Sequence, residues 1–193
     1  MLMNFLLVAF FAVLTAIGGM ISIPTPFFVP FTLQTLVVLM SGLLLGPKYG
    51  PLSQALYIAM GLIGLPVFAG GAGGVHYVFM PTFGFLVGFV AVSWIAGLLG
   101  PRARSLPQYI LVSLAAAICL YLVALPLFYV NMNYVAGTKM SFIRAAQLAF
   151  LPFAVPDALK AVAAAWLAAQ SVPVLQAAGL YRARKSPSRT QCH

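Results

Sequence analysis

Acidic side chains are almost absent from this sequence. Asp157 is the single acidic residue among 193, against ten lysines and arginines, and charged residues of both signs make up only 6% of the chain. A soluble domain carries about 25% charged residues, whereas 63% of this chain is hydrophobic. The shortage of charge excludes an ordinary soluble domain and predicts an integral membrane protein with almost nothing outside the lipid bilayer.

Residues that perform chemistry are also scarce. The two cysteines, Cys119 and Cys192, provide neither a disulfide framework nor the spacing of a metal site. The two histidines are His76 and the terminal His193, so the sequence has no Ser/His/Asp set and no HExxH motif. We therefore expect neither enzyme activity nor a cofactor. The basic residues lie in short loops without an aromatic stacking surface, which excludes nucleic acid as a partner.

Long apolar runs dominate what is present. A spanning helix needs about 20 apolar residues, and six runs have roughly this length: residues 3–21, 31–46, 50–66, 82–100, 109–130 and 154–172. The sequence thus predicts an all-α integral membrane protein, with one domain of six transmembrane helices over residues 1–180. The first run is too long for a signal-peptide core and is interpreted as a retained span. The basic tail, residues 181–193, is expected to be disordered and cytoplasmic.

Loop charges predict the orientation of these spans. If both termini are cytoplasmic, the basic residues divide seven inside to two outside, which obeys the positive-inside rule. We therefore expect a multi-pass protein of the cell (inner) membrane, with residues 22–30, residues 65–81 and Asp157 at its outer face. The inside residues are Lys48, Arg102, Arg104, Arg182, Arg184, Lys185 and Arg189, and the outside residues are Lys139 and Arg144.

The first outer loop, residues 22–30, is rich in proline. Pro24, Pro26 and Pro30 exclude a regular helix and predict a stiff, extended segment. Phenylalanines 27, 28 and 31 give this segment an apolar face. It is therefore either a lid over a site or a plain connection between helices.

The second outer loop is rich in glycine. Backbones at Gly70, Gly71, Gly73 and Gly74 can approach a ligand closely, and their N–H groups can cradle its polar atoms. The alternative is a flexible turn. Tyr77 follows the loop, and Gln34 lies near the outer end of the second span. Both are candidate hydrogen-bonding residues of the same site.

Asp157 and Lys160 are the charged residues of the last span. Positions three apart share one face of a helix, so the carboxylate and the ammonium group are expected to lie side by side. A charge at bilayer depth costs on the order of 3 kcal/mol on insertion scales. The pair is therefore either a structural ion pair that locks two helices or a polar ligand site. Pro156 is predicted at the first helical position, which would place Asp157 at the positive end of the helix dipole.

The first span contains Ala12 and Ala16, a small-xxx-small spacing that lets helices approach closely in lipid. This face either packs inside the protein or docks a partner membrane subunit.

Four segments together resemble a known family. They are IPTPFFVPFTLQTLVVLMSGLLLGPKYG (residues 23–50), GLIGLPVFAGGAGG (61–74), PTFGFLVGF (81–89) and PDALKAVAAAW (156–166). In this order and spacing they are similar to the BioY family, the biotin-specific S components of energy-coupling-factor (ECF) transporters. The resemblance covers nearly the whole chain. It implies six helices, capture of biotin from outside, and assembly with a transmembrane coupling subunit and two ABC-type ATPase subunits.

The resemblance also implies roles for individual residues. Asp157 and Lys160 would contact biotin, the glycine-rich and proline-rich loops would line or close the site, and Ala12 and Ala16 would dock the coupling subunit. The sequence has no Walker motif, so ATP hydrolysis would come from a partner. The competing hypothesis is an autonomous carrier that transports biotin or another small vitamin without ATPases. An intramembrane enzyme would need a catalytic constellation that the sequence lacks.

Overall fold

The computed structural model describes residues 2–26 and 29–177. Five of its helices are long and apolar enough to cross a membrane by length and composition, and the remaining one, α5, is short. The helices are α1 (Leu2–Met20), α2 (Gln34–Leu62), α3 (Phe83–Leu99), α4 (Leu106–Val130), α5 (Phe142–Ala149) and α6 (Leu151–Ala177).

Helix α2 is folded into a hairpin. Its backbone is non-helical at Gly46, where φ is +78°, a conformation that only glycine adopts readily, and Pro47 follows. The side chain of Gln34 donates a hydrogen bond to the Tyr57 hydroxyl at 2.5 Å. These residues would lie about 35 Å apart in a straight helix. The two arms, residues 34–45 and 47–62, are therefore antiparallel, and the five long helices supply the six predicted membrane segments.

The arms of α2 pack closely against α3. A methyl group placed on Gly42 would lie 2.3 Å from the Ser93 carbonyl oxygen, so the two helices meet backbone to backbone. The Ser41 and Ser93 hydroxyls are hydrogen-bonded at 2.8 Å beside this contact. Gly97, near the end of α3, meets the backbone of Gly46. The turn of the hairpin and the end of α3 therefore lie at the same end of the bundle.

A buried amide ties α1 to the hairpin. Gln54 is fully buried and donates to the hydroxyl oxygens of Ser41 at 3.0 Å and Ser53 at 3.1 Å. It also lies 3.3 Å from the Thr15 hydroxyl on α1. A polar side chain in the apolar interior needs such partners, and these bonds fix the position of α1 against α2.

The proline-rich loop forms a small antiparallel ribbon. Strand β1 (Ser22–Ile23) pairs with β2 (Phe31–Thr32), with Ser22 opposite Thr32 and Ile23 opposite Phe31. The extended form agrees with the prediction from its prolines. Phe27 and Phe28, which the lid hypothesis used, lie outside the described residues.

Two expectations for the last third of the chain are wrong. Helix α5 was not predicted, and it begins after Ser141, whose hydroxyl accepts from the Arg144 N–H. Helix α6 begins at Leu151, so Pro156 lies inside it rather than at its first position. Asp157 is consequently in the second turn, where the helix dipole has little effect, since that effect falls off within the first turn. The predicted tail, residues 181–193, lies outside the described residues.

Candidate functional site

One end of the bundle contains a cavity of about 50 Å³. Both outer loops and helices α2, α3, α4 and α6 contribute to it, which confirms that the two loops and Asp157 lie at the same end of the protein. The lining side chains are Val29, Pro30, Thr32, Gln34, Thr35, Ala69, Tyr77, Thr82, Phe85, Leu86, Phe89, Leu120, Phe153, Asp157 and Lys160. Most of the wall surface is apolar, and its polar side chains are Thr32, Gln34, Thr35, Tyr77, Thr82, Asp157 and Lys160.

The charged pair forms the most polar part of the wall. Lys160 Nζ lies 2.7 Å from Asp157 Oδ1, one turn away on α6, and both residues are more than nine-tenths buried. The other carboxylate oxygen, Oδ2, accepts a short hydrogen bond from the hydroxyl of Tyr121 on α4. Each oxygen of the carboxylate thus has a donor. These bonds offset the cost of burying the charge and hold the carboxylate in one orientation.

An aromatic ring lies over the ammonium group. Lys160 Nζ lies 4.4 Å from the centroid of the Phe31 ring, within the range of a cation–π contact. Phe31 stacks on Phe153 with 5.7 Å between centroids. Phe31, the first residue of strand β2, therefore contacts α6 through both Lys160 and Phe153.

A second set of polar side chains also lines the cavity. Gln34 Nε2 donates to the Tyr57 hydroxyl, and the Thr32 hydroxyl lies 3.1 Å from Gln34 Oε1. The Thr82 hydroxyl donates to that of Tyr77 at 3.0 Å. Burial raises the pKa of Tyr77 above its ordinary value, although the bond from Thr82 opposes this shift. Tyr77 is therefore a neutral phenol at physiological pH, able to donate to a ligand.

The cavity wall carries the groups that a small amphipathic ligand would need, although its volume must increase to admit one. These groups are a carboxylate, an ammonium group, amide and hydroxyl groups, and phenylalanine and leucine side chains. Small-molecule sites typically combine an apolar wall with a few such fixed polar groups. Among the described residues, no group of three or more His, Cys, Asp and Glu side chains could hold a metal ion.

A family model for the BioY family matches residues 2–177. The chain belongs to the BioY family.

Several relatives of this BioY-family protein are named as transporters. A probable biotin transporter BioY from Lysinibacillus sphaericus is 39% identical over 178 residues, covering 91% of this chain and 90% of the relative. The biotin transporter BioY from Thermotoga maritima is 39% identical over 159 residues, covering 82% and 89% of the two chains. Such names agree with the expectation that this chain is not an enzyme.

A solved structure has the same fold. The crystal structure of the S-component for biotin from an ECF-type ABC transporter superposes with a TM-score of 0.76 and is 25% identical. The match covers 89% of this chain and 92% of that one. The predicted six-helix architecture of an S component is confirmed by this agreement.

The predicted site residues divide into two groups in the BioY-family structure. Asp157, Lys160, Gln34 and Tyr77 all line the cavity. The four loop glycines, Gly70, Gly71, Gly73 and Gly74, are not among its lining residues, and the glycine-rich loop contributes Ala69 instead. Whether these residues bind a ligand stays a prediction.

The glycines of the loop have a packing role. A methyl group on Gly73 would lie 2.2 Å from the Leu65 carbonyl oxygen, and the N–H of Gly74 donates to the Gly61 carbonyl oxygen at 2.7 Å. These contacts fold the loop back onto the end of α2. The loop thereby positions Ala69 and Tyr77. Residue 73 must be glycine because a larger side chain would collide with the Leu65 carbonyl oxygen.

Ala12 and Ala16 are buried, with 0% and 5% of their surface exposed. The hydroxyl of Thr15, which lies between them in the sequence, accepts a hydrogen bond from the Gln54 side-chain amide. This face of α1 therefore packs against α2 within the chain. The small-xxx-small spacing was expected either to pack inside the protein or to dock a partner subunit, and in the structure it packs inside the protein. A partner subunit could contact these methyl groups only after α1 moves, and the docking role stays a prediction.

Several residues of the site were missed from the sequence. Tyr121 does not line the cavity but orients Asp157, and Phe85 and Phe153 are among the apolar residues of the wall. A signal for Tyr121 existed, because it is a hydroxyl-bearing residue in the middle of the aliphatic run LAAAICLYLVAL, residues 114–125. A buried hydroxyl in such a run needs a partner, and Asp157 is the chain's only carboxylate.

Proposed function

We propose that this chain is the biotin-binding membrane subunit of an uptake transporter, with Asp157 and Lys160 as its central ligand contacts. The observation that carries the proposal is the buried pair itself, hydrogen-bonded by Tyr121 and facing a mostly apolar cavity in a BioY-family chain. Ionisable residues at membrane depth usually serve a ligand or ion pathway. The names of the relatives support biotin as the ligand.

The chemistry of biotin suits this wall. Its ureido ring presents two N–H donors and one carbonyl acceptor, and an ionised Asp157 can accept from the donors. Lys160 can donate to the ureido carbonyl or to the biotin carboxylate. The apolar thiophane ring and valeryl chain can pack against Phe85, Leu86 and Phe153.

Binding requires the cavity to widen. Its volume of about 50 Å³ holds only a few water molecules, since one water needs roughly 10–15 Å³. The Phe31 ring lies over the ammonium group of Lys160 and stacks on Phe153, so a ligand that approaches the ammonium group from that side would displace Phe31. Residues 29–32 and the start of α6 are therefore the segments that we expect to shift when biotin enters.

Calorimetric titration of biotin into the purified protein in detergent tests the site. We expect one-site binding, and we expect Asp157→Asn to weaken it about 10- to 100-fold, since a charge-assisted hydrogen bond contributes about 1.5–3 kcal/mol. Lys160→Gln should have a comparable effect. Lys139→Gln removes the same charge from an exposed residue and serves as the matched control, with binding unchanged.

Two outcomes of the titration would refute the proposal in different ways. If the folded wild-type protein does not bind biotin, the substrate is wrong. If biotin binds but Asp157→Asn and Lys160→Gln bind equally well, the pair only locks helices and the site lies elsewhere.

We further propose that the protein works with a transmembrane coupling subunit and two ABC-type ATPase subunits, in the cell membrane, with both termini cytoplasmic. The likeness to an S-component of an ECF-type ABC transporter supports this assembly. Uptake of labelled biotin into liposomes, with and without the coupling subunits and ATP, separates it from an autonomous carrier. Equal uptake without ATPases would favour the carrier.

A further inference from the structure

A groove on the outside of the bundle lies far from the cavity. It runs between the end of α3 and the beginning of α4, with a volume of about 370 Å³. Leu99, Leu111, Val112 and Ala115 form an almost wholly apolar floor, whereas Arg102 and Gln108 stand at one end. Leu111 is 69% exposed. The groove thus combines a long apolar surface with a cation at its mouth.

The mouth of the groove belongs to the basic end of the bundle. Gly97 packs against the Gly46 backbone, so Lys48, Arg102 and Arg104, each within a few residues of that contact, lie at the same end. The cavity with Asp157 is at the opposite end. The sequence contains no other carboxylate side chain, and Lys160 already pairs with this one. The counter-ions of these basic side chains must therefore come largely from outside the chain.

We propose that this groove binds an anionic glycerophospholipid, with its phosphate at Arg102 and Gln108 and one acyl chain along Leu111 and Ala115. A guanidinium group binds phosphate through two parallel hydrogen bonds. Gln108 accepts from the Arg104 N–H at 2.7 Å through Oε1, and its amide nitrogen carries two further donors. Gln108 and Ala115 are about 10 Å apart along α4, so the apolar floor is long enough for a large part of an acyl chain.

A lipid suits this groove better than an acidic protein segment does. The floor is formed by residues that face outward from spanning helices, where acyl chains are the surrounding solvent. A phosphate ester on a hydrocarbon chain matches both the cation and the floor, whereas a carboxylate on a peptide matches only the cation. Basic pockets between membrane helices at the cytoplasmic side commonly bind anionic head groups, and this end is the one that the positive-inside rule assigns to the cytoplasm.

A fluorescent reporter in the groove tests the proposal locally. The reporter is the full chain with Leu111→Trp, and with Phe at its two native tryptophans, Trp94 and Trp166. It is reconstituted in vesicles of mixed phosphatidylglycerol and phosphatidylcholine with the same acyl chains, one of the two lipids being brominated. Quenching by each brominated lipid gives the relative affinity of the two lipids at the groove. We expect phosphatidylglycerol to be preferred about fivefold, from about 1 kcal/mol for one basic residue near a membrane surface.

Variants of the reporter separate a site from general surface charge. Arg102→Gln should reduce the preference to about one. Arg144→Gln makes the same charge change on α5 and should leave it unchanged. Ala115→Phe fills the groove without altering a charge and should also abolish the preference, which keeps the test valid if Arg102→Gln does not fold.

Three results would overturn the lipid site. The first is no preference in the reporter itself, and the second is an equal loss of preference in Arg144→Gln. The third is an unchanged preference in Arg102→Gln together with weaker association with coupling subunits, which would assign Arg102 to a protein interface. Calorimetry with biotin should give the same affinity for Arg102→Gln as for the wild type, so the lipid proposal can fail without the biotin proposal.

Discussion

Tyr121 holds the chain's only carboxylate in place from a different helix. Its hydroxyl donates to Asp157 Oδ2 while Lys160 occupies Oδ1. A donor group of the proposed ligand would therefore find one lone-pair direction of each oxygen already occupied, which limits the orientations in which it can approach. The rings of Phe85 and Phe150 contact Tyr121 edge-on, at 6.3 and 4.8 Å between centroids, and fix its ring.

Tyr121→Phe should weaken biotin binding about fivefold to tenfold while leaving the fold intact, because Asp157 loses one of the two donors that orient its carboxylate, whereas its own contacts to the ligand remain. Calorimetric titration provides the measurement. Tyr134→Phe, at a residue that is 82% exposed, is the matched control and should bind biotin as the wild type does. An unchanged affinity in Tyr121→Phe would mean that the bond only joins α4 to α6.

The residue scale also marks the limit of prediction from the sequence. The contact between Asp157 and Lys160 follows from helix geometry alone, since residues three positions apart on a helix lie on the same face. The bond from Tyr121 spans 36 positions and depends on how α4 packs on α6, which no local pattern encodes. The glycines at 70–74 were expected around a ligand for their small size, but the same property serves the contact between Gly73 and Leu65.

At the scale of elements, the hairpin of α2 determines the architecture. Its turn was predictable, because Gly46 and Pro47 interrupt two apolar runs. The start of α6 was misplaced, because proline is common at the start of a helix and Pro156 was taken for that proline instead of Pro152, the second residue of α6. Helix α5 was not predicted because its eight residues are far fewer than the apolar run of about 20 that was used to identify helices.

Gly42→Ala should destabilise the protein by about 2 kcal/mol or more. Alanine favours a helix over glycine, so the loss would come from the backbone of α3, whose Ser93 oxygen would lie 2.3 Å from the new methyl group. Unfolding by SDS, followed by circular dichroism, gives the free energy. In Gly88→Ala the nearest atom is the end of the Leu120 side chain at 2.7 Å, and the nearest backbone atom, the Leu120 oxygen, is 3.2 Å away, so the cost should be smaller, about 1 kcal/mol. Equal stability of the two variants would contradict backbone contact between α2 and α3.

At the scale of the whole molecule, three basic side chains and the buried ion pair lie at opposite ends of the bundle. Lys48, Arg102 and Arg104 lie at the end with the hairpin turn, whereas the cavity and its buried ion pair lie at the other. The six membrane segments and the placement of these basic side chains at one end could be predicted from the apolar runs and the loop charges. Each of these two signals is summed over many residues, so an error of a few positions at a helix boundary does not change the result.

Single-cysteine variants can test the orientation in intact cells. Cys119→Ser and Cys192→Ser remove the native thiols, after which Lys139→Cys and Lys48→Cys each introduce one. A membrane-impermeant thiol reagent should label Lys139→Cys in intact cells, whereas Lys48→Cys should react only after the cells are broken. The reverse pattern would place the termini outside and would invert the proposed direction of biotin capture.

The early break in α2 has a consequence for where a ligand rests relative to the two membrane surfaces. The first arm, residues 34–45, is about 18 Å long, whereas the hydrocarbon layer is about 30 Å thick. The Leu33 N–H donates to the Gly18 carbonyl oxygen, two residues before α1 ends, so Gln34 lies close to the level at which that span leaves the membrane. A captured molecule would therefore rest near the surface from which it came, with more than half of the hydrocarbon layer still to cross before release.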